Sequence, residues 1–133
     1  MMATERTNPS DMYQPFGGFY TQVVTATGSR HVHVAGTVSL DKDRNLVAEE
    51  DMQGQVRMTM ENIGKSLAAV GAKPSDVVRV NTFVTDVDGY LQEGHQEVMA
   101  FFGDTLPTST LVEVTRLADP RYLVEIQATA IVD

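Results

Sequence analysis

The sequence predicts an α+β fold: one mixed sheet in the order β-β-α-β-α-β-β, with two helices on a single face. Three observations predict it. Period-two runs of β-branched and aromatic residues mark strands, one long apolar stripe from Met52 marks a helix, and strands flank each helical stretch, which calls for crossover connections.

Residues 19–27 carry aromatic and β-branched side chains and run into Thr27-Gly28-Ser29, a tight turn, so they read as the first strand. Residues 31–40 alternate, with His31, His33, Ala35 and Thr37 on one face and Val32, Val34, Gly36 and Val38 on the other, giving a second strand hairpinned to the first. After the charged turn 41–45, the acids Glu49, Glu50 and Asp51 suit a helix N-terminus. Met52, Val56, Met60, Ile63, Leu67 and Val70 then keep one helical face, and Gly71 and Pro74 end the helix. Residues 77–84 are β-branched almost throughout and form the next strand. A second helix over residues 89–102 turns Tyr90, Leu91, Val98, Met99 and Phe102 inward, although Gly94 weakens it by about 1 kcal/mol relative to alanine; Gly103 closes it. Two last strands, 106–117 and 122–130, are joined by the loop 118–121. Each carries a glutamate, Glu113 or Glu125, among apolar neighbours, where a carboxylate needs a partner, water or a function.

Residues 1–16 read as a polar arm without the apolar segment of a signal peptide, and residues 17–133 as one domain. A sheet covered by helices on one side only leaves its other face bare. In so short a chain another copy is the cheapest cover, so the sequence predicts a homo-oligomer. The 133 residues contain no cysteine, which removes disulfides and thiol chemistry. A net charge of −8 with ten scattered Lys and Arg disfavours nucleic acid, and no apolar run spans a bilayer, so neither nucleic acid nor membrane is expected as a partner. The expected location is the cytoplasm.

His31 and His33 point the same way, but a metal would need a third ligand that the sequence does not indicate; neither metal nor cofactor is expected. Ser109 between Thr108 and Thr110 reads either as a hydroxyl cluster lining a pocket or as plain strand-start chemistry, and no adjacent base is assigned to make it a nucleophile. Tyr20 reads as pocket or core, and Glu113 as structural.

Several segments in this order resemble one known family. Gly18-Phe19-Tyr20-Thr21-Gln22 is similar to its G-P-Y-S-Q, His31 to Val38 to its L-V-F-V-S-G-Q-I strand, and Val80 to Asp86 to V-x-V-F-V-x-D. Phe101-Phe102-Gly103, Pro107 to Val114 (P-A-R-S-x-V-E-V) and Val124 to Ala128 (V-E-I-E-A) complete the set. The chain thus resembles the reactive-intermediate deaminase family, called Rid or YjgF and also endoribonuclease L-PSP. The resemblance implies a chorismate-mutase-like homotrimer, with clefts between subunits that bind a small metabolite such as an enamine or imine acid and hydrolyse it. It implies Glu125 as the water-positioning carboxylate, and Tyr20, Gly36, Thr37 and His33 around the ligand. The family arginine that grips the substrate carboxylate does not carry over, because its position holds Ser109. Serine offers neither the planar two-donor fork nor the fixed charge. The resemblance therefore argues against the usual 2-aminoacrylate reaction and for hydroxyl recognition by Thr108, Ser109 and Thr110. It leaves two functions open: a deaminase-like hydrolase, or a non-catalytic binding or scaffold protein. Arg30, Arg79, Arg116 and Arg121 are the arginines available to supply another cation.

Overall fold

The computed structural model describes residues 4–133, so the first three residues of the expected arm lie outside the described residues. The strands are β1 (Thr4–Thr7), β2 (Val23–Ala26), β3 (Arg30–Thr37), β4 (Val77–Val84), β5 (Thr108–Glu113) and β6 (Val124–Val132), and the long helix α1 spans Met52–Ala69. Four strands form a mixed sheet ordered β3-β6-β4-β5, with β4 and β5 parallel and the other pairs antiparallel. Helices cover one of its faces. Val34, Val80, Val84, Val124, Ile126 and Ala128 on that face pack with Val56, Ile63 and Leu67 of α1 and with Val98 and Phe102 of the second helical stretch. Each fully buried aliphatic side chain there contributes about 1.5–3 kcal/mol. His31, His33, Arg79 and Gln127 on the opposite face stay exposed. No helix among the described residues is long and apolar enough to cross a membrane.

The helical stripe behaves as its spacing predicts up to the last turn. Met52, Val56, Met60, Ile63 and Leu67 are buried, whereas Val70, at the C-cap, is exposed. Asp51 caps the start by accepting the Gly54 N–H at 3.0 Å, and Gly71 past the end takes φ 77°, the left-handed conformation that glycine adopts without steric cost. Gln55, which a hydrophobic count passes over, is completely buried. Its amide donates to the Arg121 carbonyl and accepts from the Leu123 N–H, fixing the chain where it enters β6.

Four features depart from the sequence reading. The first strand is short and pairs with β1 from the arm, not with β3, so the expected hairpin is replaced by a separate two-stranded sheet. The cause lies in Arg6, whose guanidinium donates to the carbonyls of Leu106, Thr105 and Ser75 and so pins the arm across the domain. The strand expected over residues 106–117 spans only Thr108–Glu113, and β4 lies between it and β6. Glu113 accepts the Val87 N–H at 3.0 Å, capping the next helical segment, which gives it the structural role expected of it.

The second helical stretch is the third departure. It is built from a turn, α2 (Val87–Gly89), a π-turn (Tyr90–Gly94) and α3 (His95–Phe102). Gly94 marks close packing there: a Cβ on it would stand 2.8 Å from Val56 Cγ2 and 3.3 Å from Met52 Cγ of α1. The inserted residue also turns Leu91 outward, against the expectation that it faces the core.

The fourth departure is a bulge in β3. Val34 pairs with Ala128 and Thr37 with Ile126, so Ala35 and Gly36 together stand against Gln127. Strict alternation would put Gly36 on the valine face. The extra residue turns it to the bare face instead.

Candidate functional site

On the bare face, cross-strand register sets the neighbours. Asn81 lies between Gln127 and Thr110, and Phe83 between Glu125 and Val112. Asn81 donates to Gln127 Oε1 at 3.2 Å. Glu125 is half-buried and, among the described residues, forms no salt bridge. Its carboxylate lies over Gly36, where an added Cβ would meet Oε2 at 2.5 Å, so only the absence of a side chain at Gly36 leaves the carboxylate its position. Thr37, next in the chain, donates its hydroxyl to the Ala35 carbonyl at 2.7 Å, inside the bulge.

A second set of residues surrounds a cleft of about 270 Å³ at the β5 edge. Phe16, Phe19, Tyr20, Leu91 and Leu111 give it an apolar wall, and Thr82, Tyr90, His95 and Ser109 its polar groups. Ser109 and Leu111 pair with Val80 and Thr82 in the sheet, so they point to the helix-covered side. Among the described residues, no lysine or arginine lines this cleft.

Tyr90 and His95 are linked, with the tyrosine hydroxyl 3.2 Å from Nδ1. Burial pushes the Tyr90 phenol well above its ordinary pKa, partly countered by the Thr82 hydroxyl. Burial also lowers the His95 pKa, which keeps the imidazole uncharged at neutral pH.

The residues singled out in the sequence therefore fall into two groups. Tyr20 and Ser109 line the cleft. Glu125, Gly36, Thr110 and His33 belong to the bare face, with Thr37 at the bulge beside them. Thr108 joins neither as a free hydroxyl, since it donates to the Val78 carbonyl at 2.8 Å. None of the four candidate arginines lines the cleft. Arg30 binds the Val70 and Asp133 carbonyls, Arg116 those of Leu117 and Ala118, Arg121 the Asp119 carboxylate, and Arg79 is exposed on the bare face. Among the described residues no group of three His, Asp or Glu is placed to hold a metal. Sequence reasoning missed Phe16, Phe19, Thr82 and His95 as cleft residues. The aromatic cluster 13–20 was the available signal for the first two; nothing local announced the others.

The sequence model of the endoribonuclease L-PSP family matches residues 14–132, nearly the whole chain. The chain belongs to the endoribonuclease L-PSP family, the Rid or YjgF family. A RutC family protein of Pyrococcus horikoshii is 32% identical over 114 residues, 85% of this chain and 86% of that one. A Salmonella typhimurium relative, named 2-iminobutanoate/2-iminopropanoate deaminase, is 33% identical over 104 residues, 75% of this chain and 78% of its own length. Among solved structures, a Rid-family protein of unknown function from Yersinia pestis superimposes with a TM-score of 0.91 at 31% identity, covering 98% of this chain and 100% of that one. The Rid-family likeness thus extends over the α+β fold from end to end, and some relatives carry imine deaminase names.

Proposed function

We propose that this Rid-family chain acts as a homotrimer whose inter-subunit clefts bind a small metabolite and hydrolyse an enamine, imine or related labile group, with Glu125 positioning the water. The observation that carries the reading is the Glu125 carboxylate, half-buried over Gly36 and without a salt bridge among the described residues. Glu125 and the cleft residues Tyr20 and Ser109 lie on opposite faces of one sheet, so a single copy does not bring them to the same small ligand. A complete site then needs the aromatic cleft of one copy against the bare face of the next, which also covers that face.

In this arrangement water adds to the C=N carbon as Glu125 takes its proton. The nitrogen is protonated, and collapse of the carbinolamine expels ammonia and leaves the carbonyl compound. With Ser109 where the family's deaminases have arginine, and no lysine or arginine lining the cleft among the described residues, the favoured substrate is one whose cleft-bound end is uncharged. The same lack of a cation favours the second reading, a cleft that binds without chemistry.

The test uses two imines. Wild-type protein should leave 2-aminoacrylate, generated in situ, near its spontaneous rate of loss, and Ser109→Arg should accelerate it by about tenfold or more. The imine of pyruvamide, which lacks the carboxylate, should be hydrolysed by wild type and not by Glu125→Gln. Equal rates for wild type and Glu125→Gln would remove the catalytic reading.

A further inference from the structure

Thr82, Tyr90 and His95 are polar groups of the cleft that this chemistry does not use, and His95 is the one with an unpartnered buried nitrogen among the described residues. The His95 backbone N–H closes the π-turn on the Tyr90 carbonyl, and that wide turn brings the two side chains together at 3.2 Å. Tyr90 and Thr82 are each 2% exposed. A phenol hydroxyl is a stronger donor than acceptor and an unprotonated imidazole nitrogen a strong acceptor, so Tyr90 is assigned as the donor to Nδ1, which leaves the proton of the neutral imidazole on Nε2. That nitrogen is buried and, among the described residues, has no partner. A buried donor left unpaired is costly, so it marks a place where a ligand atom or a water is expected.

There is room for one. A cavity of about 10 Å³, the space of a single water-sized group, has Phe19, Thr82, Tyr90, His95 and Ser109 in its wall, all of which also line the larger cleft, and apolar core side chains such as Val98 and Phe102 around the rest. Phe19 borders both spaces. Its ring packs edge-on to His95 with centroids 4.4 Å apart, yet it is 41% exposed. It follows Gly17 and Gly18, at φ 61° and 68°, a conformation that glycine adopts without steric cost, and Gly18 has open space around it. The ring also lies over Gly17, where an added Cβ would stand 2.7 Å from it, so glycine there leaves the ring its position beside His95.

We propose that the cleft takes an uncharged, planar small molecule whose acceptor atom, a carbonyl oxygen or imine nitrogen, receives the Nε2–H of His95 while its face packs against the Phe19 ring. This deepens the reading above and rests on it only in taking the same cleft as the ligand site. Tyr90 and His95 form the donor relay, and among the described residues no lysine or arginine lines the cleft to grip a carboxylate there.

Benzamide, benzoate and toluene serve as probes, titrated into the full-length protein by calorimetry and by the histidine ring signals in ¹⁵N NMR. Benzamide should bind at least about tenfold more tightly than either of the others and shift the His95 Nε2–H signal. His95→Leu should lose that preference, and His95→Gln, which keeps a side-chain donor, should recover part of it; circular dichroism reports whether each variant folds. Equal binding of benzoate, no saturable binding of benzamide up to its solubility limit, or an unchanged preference in folded His95→Leu would overturn the proposal. If neither histidine variant folds, the wild-type Nε2–H signal decides: unshifted at saturation, it overturns the proposal. Hydrolysis measured in parallel separates the two claims. His95-dependent benzamide binding without imine hydrolysis overturns the catalytic reading alone, and hydrolysis without a benzamide preference overturns this one alone.

Discussion

Gly36→Ala is the sharpest perturbation of the carboxylate's position. An alanine Cβ would stand 2.5 Å from Glu125 Oε2, 2.9 Å from Cδ and 3.3 Å from Cγ. Relieving the closest contact needs a shift of about an ångström. Gly36 is not among the residues with positive φ, so alanine fits its backbone, and the atoms in the way are the end of a flexible side chain. Glu125 therefore turns and the sheet stays, at a stability cost of about 1 kcal/mol or less. Catalysis is less tolerant, because a misplacement of roughly 1 Å costs on the order of a hundredfold in rate. Urea unfolding and imine hydrolysis measured on the same preparation give the two numbers. A folded Gly36→Ala protein with an unchanged hydrolysis rate would refute the role assigned to Glu125; a large loss of stability would refute the reasoning that the side chain yields before the strand.

Three more perturbations test other parts of the structure. Gln55→Met keeps the volume but strands the Leu123 N–H and the Arg121 carbonyl, and should lower unfolding free energy by about 2–4 kcal/mol in urea melts. Arg6→Ala removes donors to three carbonyls and should cost about 1–3 kcal/mol, with loss of hydrogen-exchange protection in β1 and β2. Because burial depresses the His95 pKa, the unfolded chain binds the extra proton more readily. This contribution to stability is fully present above the unfolded value of about 6.5 and is lost as pH falls through the lower folded value. The urea midpoint of wild type should therefore fall between about pH 7.5 and pH 5.5 by more than that of His95→Gln, and parallel pH profiles would contradict the buried neutral imidazole.

The parts of the fold that depend on periodicity were legible. The stripe from Met52 to Leu67 and the β-branched run 77–84 have one low-energy placement each, and Gly71 and Gly103 end helices as their chemistry requires. What escaped depends on single contacts distant in sequence. Nothing near Thr4 announces that Arg6 will find the carbonyls at Ser75, Thr105 and Leu106, so the arm's strand and its theft of β2 from the hairpin were invisible. Gly94 was visible as an interruption and Gly36 only as one position of an alternating strand; the first is a π-turn against α1, the second a bulge under a carboxylate. Glu125 stood out because an apolar strand has little reason to carry a glutamate. His95 did not, since its significance arises from the turn that joins it to Tyr90.

The claim that the site is shared between copies is tested most directly by a crystal structure with a hydrolysis-resistant neutral imine analogue bound. The account predicts the analogue within about 3.5 Å of a Glu125 carboxylate from one copy while it contacts Tyr20 and Ser109 of a neighbouring copy. A ligand held by a single copy, or one out of hydrogen-bond reach of every Glu125, would contradict it.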